Sequence, residues 1–573
     1  MRPDYNHFGN RCGRPDRGRQ TLMSGGFGEP GGMPMQWIEA ALDRLHLALN
    51  GCARDRRDNV EATAMAVAMA LALIAFGFEL ANPTLGIDDF AHLGMPFGWD
   101  PFSLGRGSWG TLRVQYLTPG GWITPFVSLF IGLVLQLLAA VLVGWALGVR
   151  GLPPLQQALL YALFVAFPYF ACQMAFDYVQ IAYPLASLLM VCGVLLALAG
   201  DRLRGACAAL AIGFAVSIYQ GSLSVLAPVA LLAPLAARGA SVRKIAGRFG
   251  RVTGAVLAGG ALYFAVHKSI LAITGVVAQN PYYSVSFDWR FWERLPFIRG
   301  EIVYLLLGAG DVIPAKAVVI GALAALLLLL HAVRAQRGGL HRLRRLALCV
   351  LLGVLLAISP FLVLFLHEGQ LAPRSSVGVA VVWFALFASL LAASSAGVRR
   401  AGTAGLAAVV LFFVFQDNRM FFSQHLVTQA DTLMMARIAE RIDRLGVRSD
   451  AAATDVVVIG QYSHPPHEAM PRFSGDVLGF SQFEWELVDT RWRMRGLAMA
   501  IGVDHYVWHD AAEPGGDFRN PALLQGRHPW PHASSVFAHD GYAVVWLGQR
   551  RDDKRTSPLQ LWFRSLFRKP SGG

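Results

Sequence analysis

Residues 123–148 read ITPFVSLFIGLVLQLLAAVLVGWALG, and this stretch decides the class of fold. It contains no charged side chain, and its polar side chains are limited to Thr124, Ser128, Gln136 and the indole of Trp145. The hydrocarbon layer of a membrane is about 30 Å thick, so a helix needs about 20 apolar residues to cross it. The stretch therefore predicts a membrane-spanning helix.

The rest of the chain has the composition of a membrane protein. Of its 573 residues, 55% are hydrophobic and 15% are charged, whereas charged residues make up roughly a quarter of a soluble domain. This composition excludes a soluble protein and predicts a mainly α, polytopic helical bundle of about eleven spans. The predicted spans cover residues 63–82, 123–148, 155–171, 181–200, 205–220, 222–237, 252–273, 315–333, 346–366, 376–398 and 401–416. The two spans beside Tyr219 are short and nearly continuous, which predicts either a tight hairpin or one broken, re-entrant element.

The net charge of +13 is concentrated in alternate loops. Arg and Lys cluster between residues 238 and 251, between 334 and 345, and again at Arg399 and Arg400. Because short basic loops are retained on the cytoplasmic side, an odd number of spans places the N-terminus inside and the C-terminus outside. The basic runs are thus topology signals, which argues against nucleic acid as a partner and leaves membrane lipids as the surroundings.

Three regions are predicted from the change in polarity along the chain. Residues 1–60 are rich in Arg and Gly and lack a secretory signal, so we expect a largely disordered cytoplasmic leader. Residues 61–416 hold the transmembrane bundle. For residues 417–573 we expect a small extracytoplasmic α/β domain. Its expected elements are a helix over 431–445, strands at 455–460, 506–508 and 543–547, and a basic amphipathic tail from 550 to 573.

No motif in the sequence indicates a cofactor or a metal. The six cysteines show no CxxC spacing, and none of them falls in the C-terminal region. A P-loop is also missing, which argues against an ATP-driven pump. We therefore expect neither a metal centre nor a cofactor.

The first external loop, residues 83–122, holds the strongest candidates for chemistry. Asp88 and Asp89 follow the first predicted span closely, so they should lie near the outer membrane interface. Adjacent carboxylates in a partly dehydrated cleft repel each other, and one of them can then serve as a general base. A helix N-cap is the alternative, since Asp is favoured there. Trp99 and Arg106 add an aromatic platform and a fixed cation suited to a sugar or a phosphate.

Four further residues are predicted to bind substrate. Arg374 lies in a short external loop, where its guanidinium could hold a lipid phosphate; snorkelling or a local pair with Glu368 is the alternative. Tyr219 and Gln220 end an apolar span at the outer side and could bind sugar hydroxyls, although a tyrosine of the membrane belt would look the same. Asp177 would be costly in lipid, so it should face water, a cavity or a partner.

The sequence also resembles a known family, the polytopic type II glucosyltransferases of O-antigen serotype conversion. The resemblance rests on Asp88-Asp89 with Gly98-Trp99 and Gly105-Arg106, on Phe167-Pro168 and Phe176-Asp177, on Ser217 to Gln220, and on PWPHASSVFAHDGYAVVWL at 529–547. It extends over roughly residues 62–550.

The resemblance implies a GT-C type enzyme of the bacterial inner membrane with a periplasmic C-terminal domain. Such an enzyme takes a hexose, usually glucose, from a polyprenyl-phosphate-linked sugar and gives it to a polysaccharide acceptor on the periplasmic face. The family's catalytic base is an acidic residue of the first external loop, which corresponds here to Asp88 or Asp89. A single displacement with one base would invert the anomeric centre.

Two other functions are compatible with the residues. A flippase or transporter of a lipid-linked sugar would also need many spans and few polar side chains, but paired discontinuous helices or internal symmetry are not evident. A structural subunit of an envelope assembly would have a similar composition. Covalent transfer to a glycan would distinguish the enzyme from both.

Overall fold

A computed structural model describes residues 56–86, 88–93, 101–117, 123–236, 241–277, 291–334, 339–365, 371–393, 395–447, 453–465, 467, 470–473, 478–484, 490–503, 505–510, 518 and 520–548. Within them, residues from Val60 onward belong to one compact unit. The predicted leader up to residue 55, Trp99 and the predicted basic tail lie outside the described residues.

The fold is mainly helical, as the composition predicts. Its helices are α1 (Arg56–Ala75), α2 (Gly77–Ala81), α3 (Asp89–His92), α4 (Pro101–Gly105), α5 (Trp109–Leu117), α6 (Pro125–Leu147), α7 (Pro154–Val165), α8 (Pro168–Met174), α9 (Ala182–Ala199), α10 (Arg202–Ile218), α11 (Leu223–Leu232), α12 (Val242–Thr274), α13 (Phe291–Leu306), α14 (Ala315–Arg334), α15 (Gly339–Ile358), α16 (Val379–Leu391), α17 (Ala396–Arg444) and α18 (Thr490–Ala500).

Within the described residues, six helical segments are long and apolar enough to cross a membrane. They are Pro125–Leu147, Asp177–Ala199, Val242–Thr274, Ala315–Arg334, Leu346–Phe365 and Ala396–Arg444. The pair α7 and α8 makes a seventh if it counts as one span bent by 49°. All eleven predicted stretches contain helix, but several of these helices are short, so the count of eleven stays a prediction.

Proline and small residues shape the bundle where it approaches the candidate site. The bend between α7 and α8 falls at Pro168, which begins α8; proline is tolerated there because the first turn of a helix needs no N–H donor. Helices α10 and α12 cross at Gly213 and Gly259, where an added Cβ on Gly213 would lie 2.8 Å from the carbonyl oxygen of Gly259. Such small residues let membrane helices pack backbone to backbone.

A four-stranded sheet lies in the C-terminal region. Its strands are β1 (Thr454–Gly460), β2 (Tyr506–Asp510), β3 (Val536–His539) and β4 (Tyr542–Gly548), in the order β2-β1-β4-β3. β1 pairs in parallel with β2 and β4, whereas β3 and β4 form an antiparallel hairpin. The three predicted strands coincide with β1, β2 and β4. The hairpin turns at Asp540-Gly541, where both residues have positive φ, as a two-residue type I′ turn requires.

Helix α17 joins the bundle to the C-terminal region without a break. It runs for 49 residues from Ala396 to Arg444, so the predicted boundary between residues 416 and 417 lies inside a continuous helix. The predicted helix over 431–445 is the end of this same element. Polarity rises along α17 at that boundary, but the backbone hydrogen bonding continues through it.

Candidate functional site

The acidic pair lies at the start of the short helix α3, and its two carboxylates have different surroundings. Asp88 occupies the N-cap position, but its side chain makes no capping hydrogen bond. The alternative that this carboxylate is present to cap a helix is therefore not supported. Asp89, in the first turn, is fully buried.

Asp89 is fixed by three backbone donors. The N–H of Gly86 and the N–H of Asp177 both donate to its Oδ2, at 2.7 and 3.0 Å, and the N–H of Tyr178 donates to its Oδ1 at 3.0 Å. Burial raises the pKa of Asp89 to about 7, although these three donors oppose the shift because they favour the ionised form. Asp89 therefore connects the loop that follows α2 to the turn that precedes α9.

Asp88 forms an ion pair with an arginine of the C-terminal region. Its Oδ1 lies 3.3 Å from a guanidinium nitrogen of Arg493 on α18. The Asp88 side chain is 36% exposed, whereas that of Arg493 is 9% exposed. Of the two predicted bases, Asp88 is thus the one that a substrate hydroxyl could approach.

The loop that carries Arg374 packs on the same turn as Asp89. The guanidinium carbon of Arg374 lies 4.9 Å from the centre of the Phe176 ring. The backbone carbonyl of Arg374 accepts a hydrogen bond of 2.7 Å from Gln173 Nε2. Asp89 and the predicted phosphate cation are therefore both anchored to residues 173–178. Glu368, the alternative partner of Arg374, lies outside the described residues.

Tyr219 connects α10 to the Arg374 loop. Its hydroxyl is 2.7 Å from the Ser375 hydroxyl, and its ring stacks on Tyr183 with 3.9 Å between ring centres. The helix ends at Ile218 and resumes at Leu223 after a single 3₁₀ turn. The break predicted near Tyr219 is present, and it brings this tyrosine beside the residue that follows Arg374.

Gln220 connects the same break to the Arg106 turn. Its side-chain nitrogen donates to the carbonyl of Arg106 at 3.1 Å and to the Tyr263 hydroxyl at 3.2 Å. Gly107 is essential to this approach because its φ is +81° and an added Cβ would lie 2.1 Å from the Tyr263 hydroxyl. Predicted residues that are far apart in sequence, Arg106 and Gln220, are therefore in direct contact.

Asp177 contributes to the turn itself. Its side chain is buried, and its Oδ1 accepts a hydrogen bond from Gln180, whose nitrogen also donates to the carbonyl of Met174 at 2.8 Å. Gln180 is thus a hydrogen-bonding partner of the kind expected for Asp177. Its predicted contact with substrate stays a prediction.

Comparison with known families identifies the chain. The sequence model of the GtrII glucosyl transferases matches residues 77–392, which is more than half of the protein. The chain belongs to the GtrII glucosyl transferase family. It is therefore a glycosyltransferase, and its apolar helices make it a membrane protein. No curated protein and no solved structure matches the chain.

The family match confirms the predicted resemblance over a shorter range than the sequence suggested. All eight predicted site residues of this glucosyltransferase fall inside the matched range: Asp88, Asp89, Trp99, Arg106, Asp177, Tyr219, Gln220 and Arg374. Arg493 lies beyond it, and sequence reasoning missed this residue. Its local sequence, TRWRMRG, has arginines at 491, 493 and 495 and gives no sign of which one meets Asp88.

Over the described ranges, no group of three or more His, Cys, Asp or Glu side chains is arranged to hold a metal ion. A groove of about 560 Å³ lies between α7 and the start of α17 and includes Leu155, Leu159, Arg399 and Arg400. None of the predicted site residues of the glucosyltransferase lines it, so this groove is distinct from the acidic site.

Proposed function

We propose that this glucosyltransferase moves a hexose, with glucose as the leading candidate, from a polyprenyl-phosphate carrier to a polysaccharide of the O-antigen kind. The observation that carries the proposal is the shared anchorage of Asp89 and Arg374 on residues 173–178. This anchorage supports a base and a cation beside one turn, because Asp88, the proposed base, is the neighbour of Asp89 in the chain. A base and a cation are the two groups that such a transfer requires, since a phosphate leaves as a stable anion.

In the proposed reaction Asp88 is the general base. The acceptor hydroxyl loses its proton to Asp88 while its oxygen forms a bond to the anomeric carbon. The bond from that carbon to the phosphate oxygen breaks on the opposite face, so the configuration inverts. The lipid phosphate leaves with the electron pair, and Arg374 stabilises its charge through a planar guanidinium. Asp89 takes no proton in this scheme, since its oxygens accept backbone N–H groups.

We propose that the sugar and its carrier are recognised by Tyr219, Gln220, Arg106 and Trp99. The contacts of Tyr219 with Ser375 and of Gln220 with Arg106 gather three of these residues around the Arg374 loop. Asp177 is proposed to support the turn beneath the donor. No cofactor or metal is required in this scheme.

The proposed topology has eleven spans, an inside N-terminus and an extracytoplasmic C-terminal region beyond residue 416. The contact between Asp88 and Arg493 supports it, because two residues in contact must lie on one side of the membrane. Ten predicted spans separate them, an even number. At 1.5 Å per residue, the 49 residues of α17 extend over roughly 74 Å, more than twice the hydrocarbon thickness. Its polar second half can therefore project into the periplasm of a bacterial inner membrane.

The proposal is tested by Asp88→Asn in membranes supplied with radiolabelled polyprenyl-phosphate glucose and lipopolysaccharide from the expressing strain. Loss of a general base should lower transfer by about 100-fold or more, with the melting temperature of the purified protein unchanged. Asp540→Asn, an exposed carboxylate on the β3–β4 turn, is the control and should keep full activity. Full transfer by Asp88→Asn would refute the proposed base, and movement of intact labelled lipid without glycan labelling would favour a flippase.

A further inference from the structure

Helix α18 packs directly against α3, the short helix that begins at the acidic pair. Gly496 packs so closely against α3 that an added Cβ would lie 1.8 Å from the carbonyl oxygen of Phe90. Phe90, Met494 and Leu497 are buried in one apolar cluster with Ile438 of α17. Because backbone contact and apolar packing act together, α18 has a defined position relative to Asp88.

That position places a nearly buried arginine against the proposed base. Arg493 is 9% exposed and lies 3.3 Å from Asp88 Oδ1. A buried guanidinium is stable only with acceptors that compensate for its lost hydration, and Asp88 supplies one of them. In return, the fixed cation restricts the rotation of the Asp88 carboxylate.

We infer that Arg493 is a positioning residue for the transfer reaction, holding Asp88 in the orientation from which its carboxylate takes the acceptor's proton. The inference rests on the proposed function. It means that residues 490–500, which lie outside the family match at 77–392, complete the active site. Arg493 is assigned to positioning and not to the lipid phosphate because so little of its side chain is exposed.

Two substitutions of Arg493 test this inference in the full-length protein, with labelled polyprenyl-phosphate glucose as donor. Arg493→Gln should lower kcat by about 10- to 100-fold, since displacement of a reacting group by about 1 Å can cost that much. The KM for the donor should stay within about twofold, because phosphate binding is left to Arg374. Arg493→Lys should give an intermediate kcat, since it keeps the charge but loses the planar fork.

Two control variants separate positioning from folding. Arg495→Gln removes an exposed arginine from the same helix and should leave kcat unchanged. Leu547→Ala removes a buried side chain of β4 from the apolar cluster that also contains Leu497 and should lower the melting temperature while keeping most of the kcat. If Arg493→Gln does not fold, Arg493→Lys is measured alone and should still show a lowered kcat with an unchanged KM.

Several outcomes would overturn the inference. They are an unchanged kcat in the folded Arg493 variants, a raised KM with normal kcat, or a loss of activity that matches the melting temperature and is not rescued by lysine. Parallel measurement of Asp88→Asn separates this inference from the proposed function. An inactive Asp88→Asn with an active Arg493→Gln refutes only the inference, whereas an active Asp88→Asn refutes the proposed base.

Discussion

Replacing Asp89 by alanine should destabilise the protein severely, because three N–H groups share this one fully buried carboxylate as their acceptor. A buried donor left without a partner costs about 1–3 kcal/mol, so three cost roughly 3–9 kcal/mol. The free energy of unfolding of an ordinary domain is about 5–15 kcal/mol. The loop that carries Asp88 and the turn before α9 should therefore separate in Asp89→Ala.

Asparagine at position 89 should be much less harmful. Gly86 and Asp177 both donate to Oδ2, so an amide oxygen placed there keeps two of the three hydrogen bonds. The amide nitrogen then faces the N–H of Tyr178, which loses its acceptor. Asp89→Asn should therefore cost about 1–3 kcal/mol, close to one lost bond.

The measurement is the melting temperature of the detergent-purified variants, followed by intrinsic fluorescence. Asp201→Ala is the control, because this half-exposed aspartate accepts one backbone hydrogen bond at the start of α10 and otherwise makes an exposed ion pair with Arg204. Its loss should cost about 1 kcal/mol. The order of stability should be wild type, then Asp201→Ala and Asp89→Asn, then Asp89→Ala. Equal damage from alanine and asparagine at position 89, or a melting temperature of Asp89→Ala equal to that of Asp201→Ala, would refute the reasoning.

Two further predictions concern pH and the Arg106 turn. Because burial raises the pKa of Asp89 from 3.8 to about 7, the folded state binds this proton more tightly than the unfolded state. The stability that this group contributes should be fully present below about pH 4 and should decline as the pH rises towards 7. The melting temperature of Asp89→Asn should fall less steeply over this pH range. An unchanged slope in Asp89→Asn would contradict this prediction. Gly107→Ala should destabilise by more than the roughly 1–2 kcal/mol of a left-handed conformation, since its Cβ would also displace the Tyr263 hydroxyl. Gly148 has φ +73° and no atom within 4 Å of an added Cβ, so Gly148→Ala should show only the conformational cost. Equal melting temperatures of Gly107→Ala and Gly148→Ala would contradict the role proposed for the Tyr263 contact.

The helices of the bundle could be predicted from the sequence because their signal is local. A long uncharged apolar stretch such as 123–148 specifies an apolar helix wherever it lies in the chain, and α6 covers it almost completely. The strands of the C-terminal region have a similar local signal in runs such as DVVVIG at 455–460. The continuity of α17 was missed because a change in polarity was interpreted as an end of structure, although neither proline nor glycine breaks the helix there.

The sequence predicted which residues belong to the candidate site, but it did not predict how they are arranged in space. A motif indicated Tyr219 and Gln220, and the position of a short loop indicated Arg374. The hydrogen bonds from Tyr219 to Ser375 and from Gln220 to Arg106, however, depend on how distant helices pack. Arg493 shows the same limit more sharply. Alternate residues of a helix point in different directions, so the phase of α18 selects Arg493 over its neighbour Arg495, and that phase is set by contacts with α3.

The difference between Asp88 and Asp89 follows from the same long-range contacts. The two residues are chemically identical and adjacent, so no local feature distinguishes the buried residue from the proposed base. Asp89 is buried because its carboxylate accepts the N–H groups of Asp177 and Tyr178, whereas Asp88 stays partly exposed beside Arg493. The first contact fixes the loop that carries both aspartates to the turn before α9, and the second fixes it to α18. The proposed base in that loop therefore depends on contacts with both the bundle and the C-terminal region.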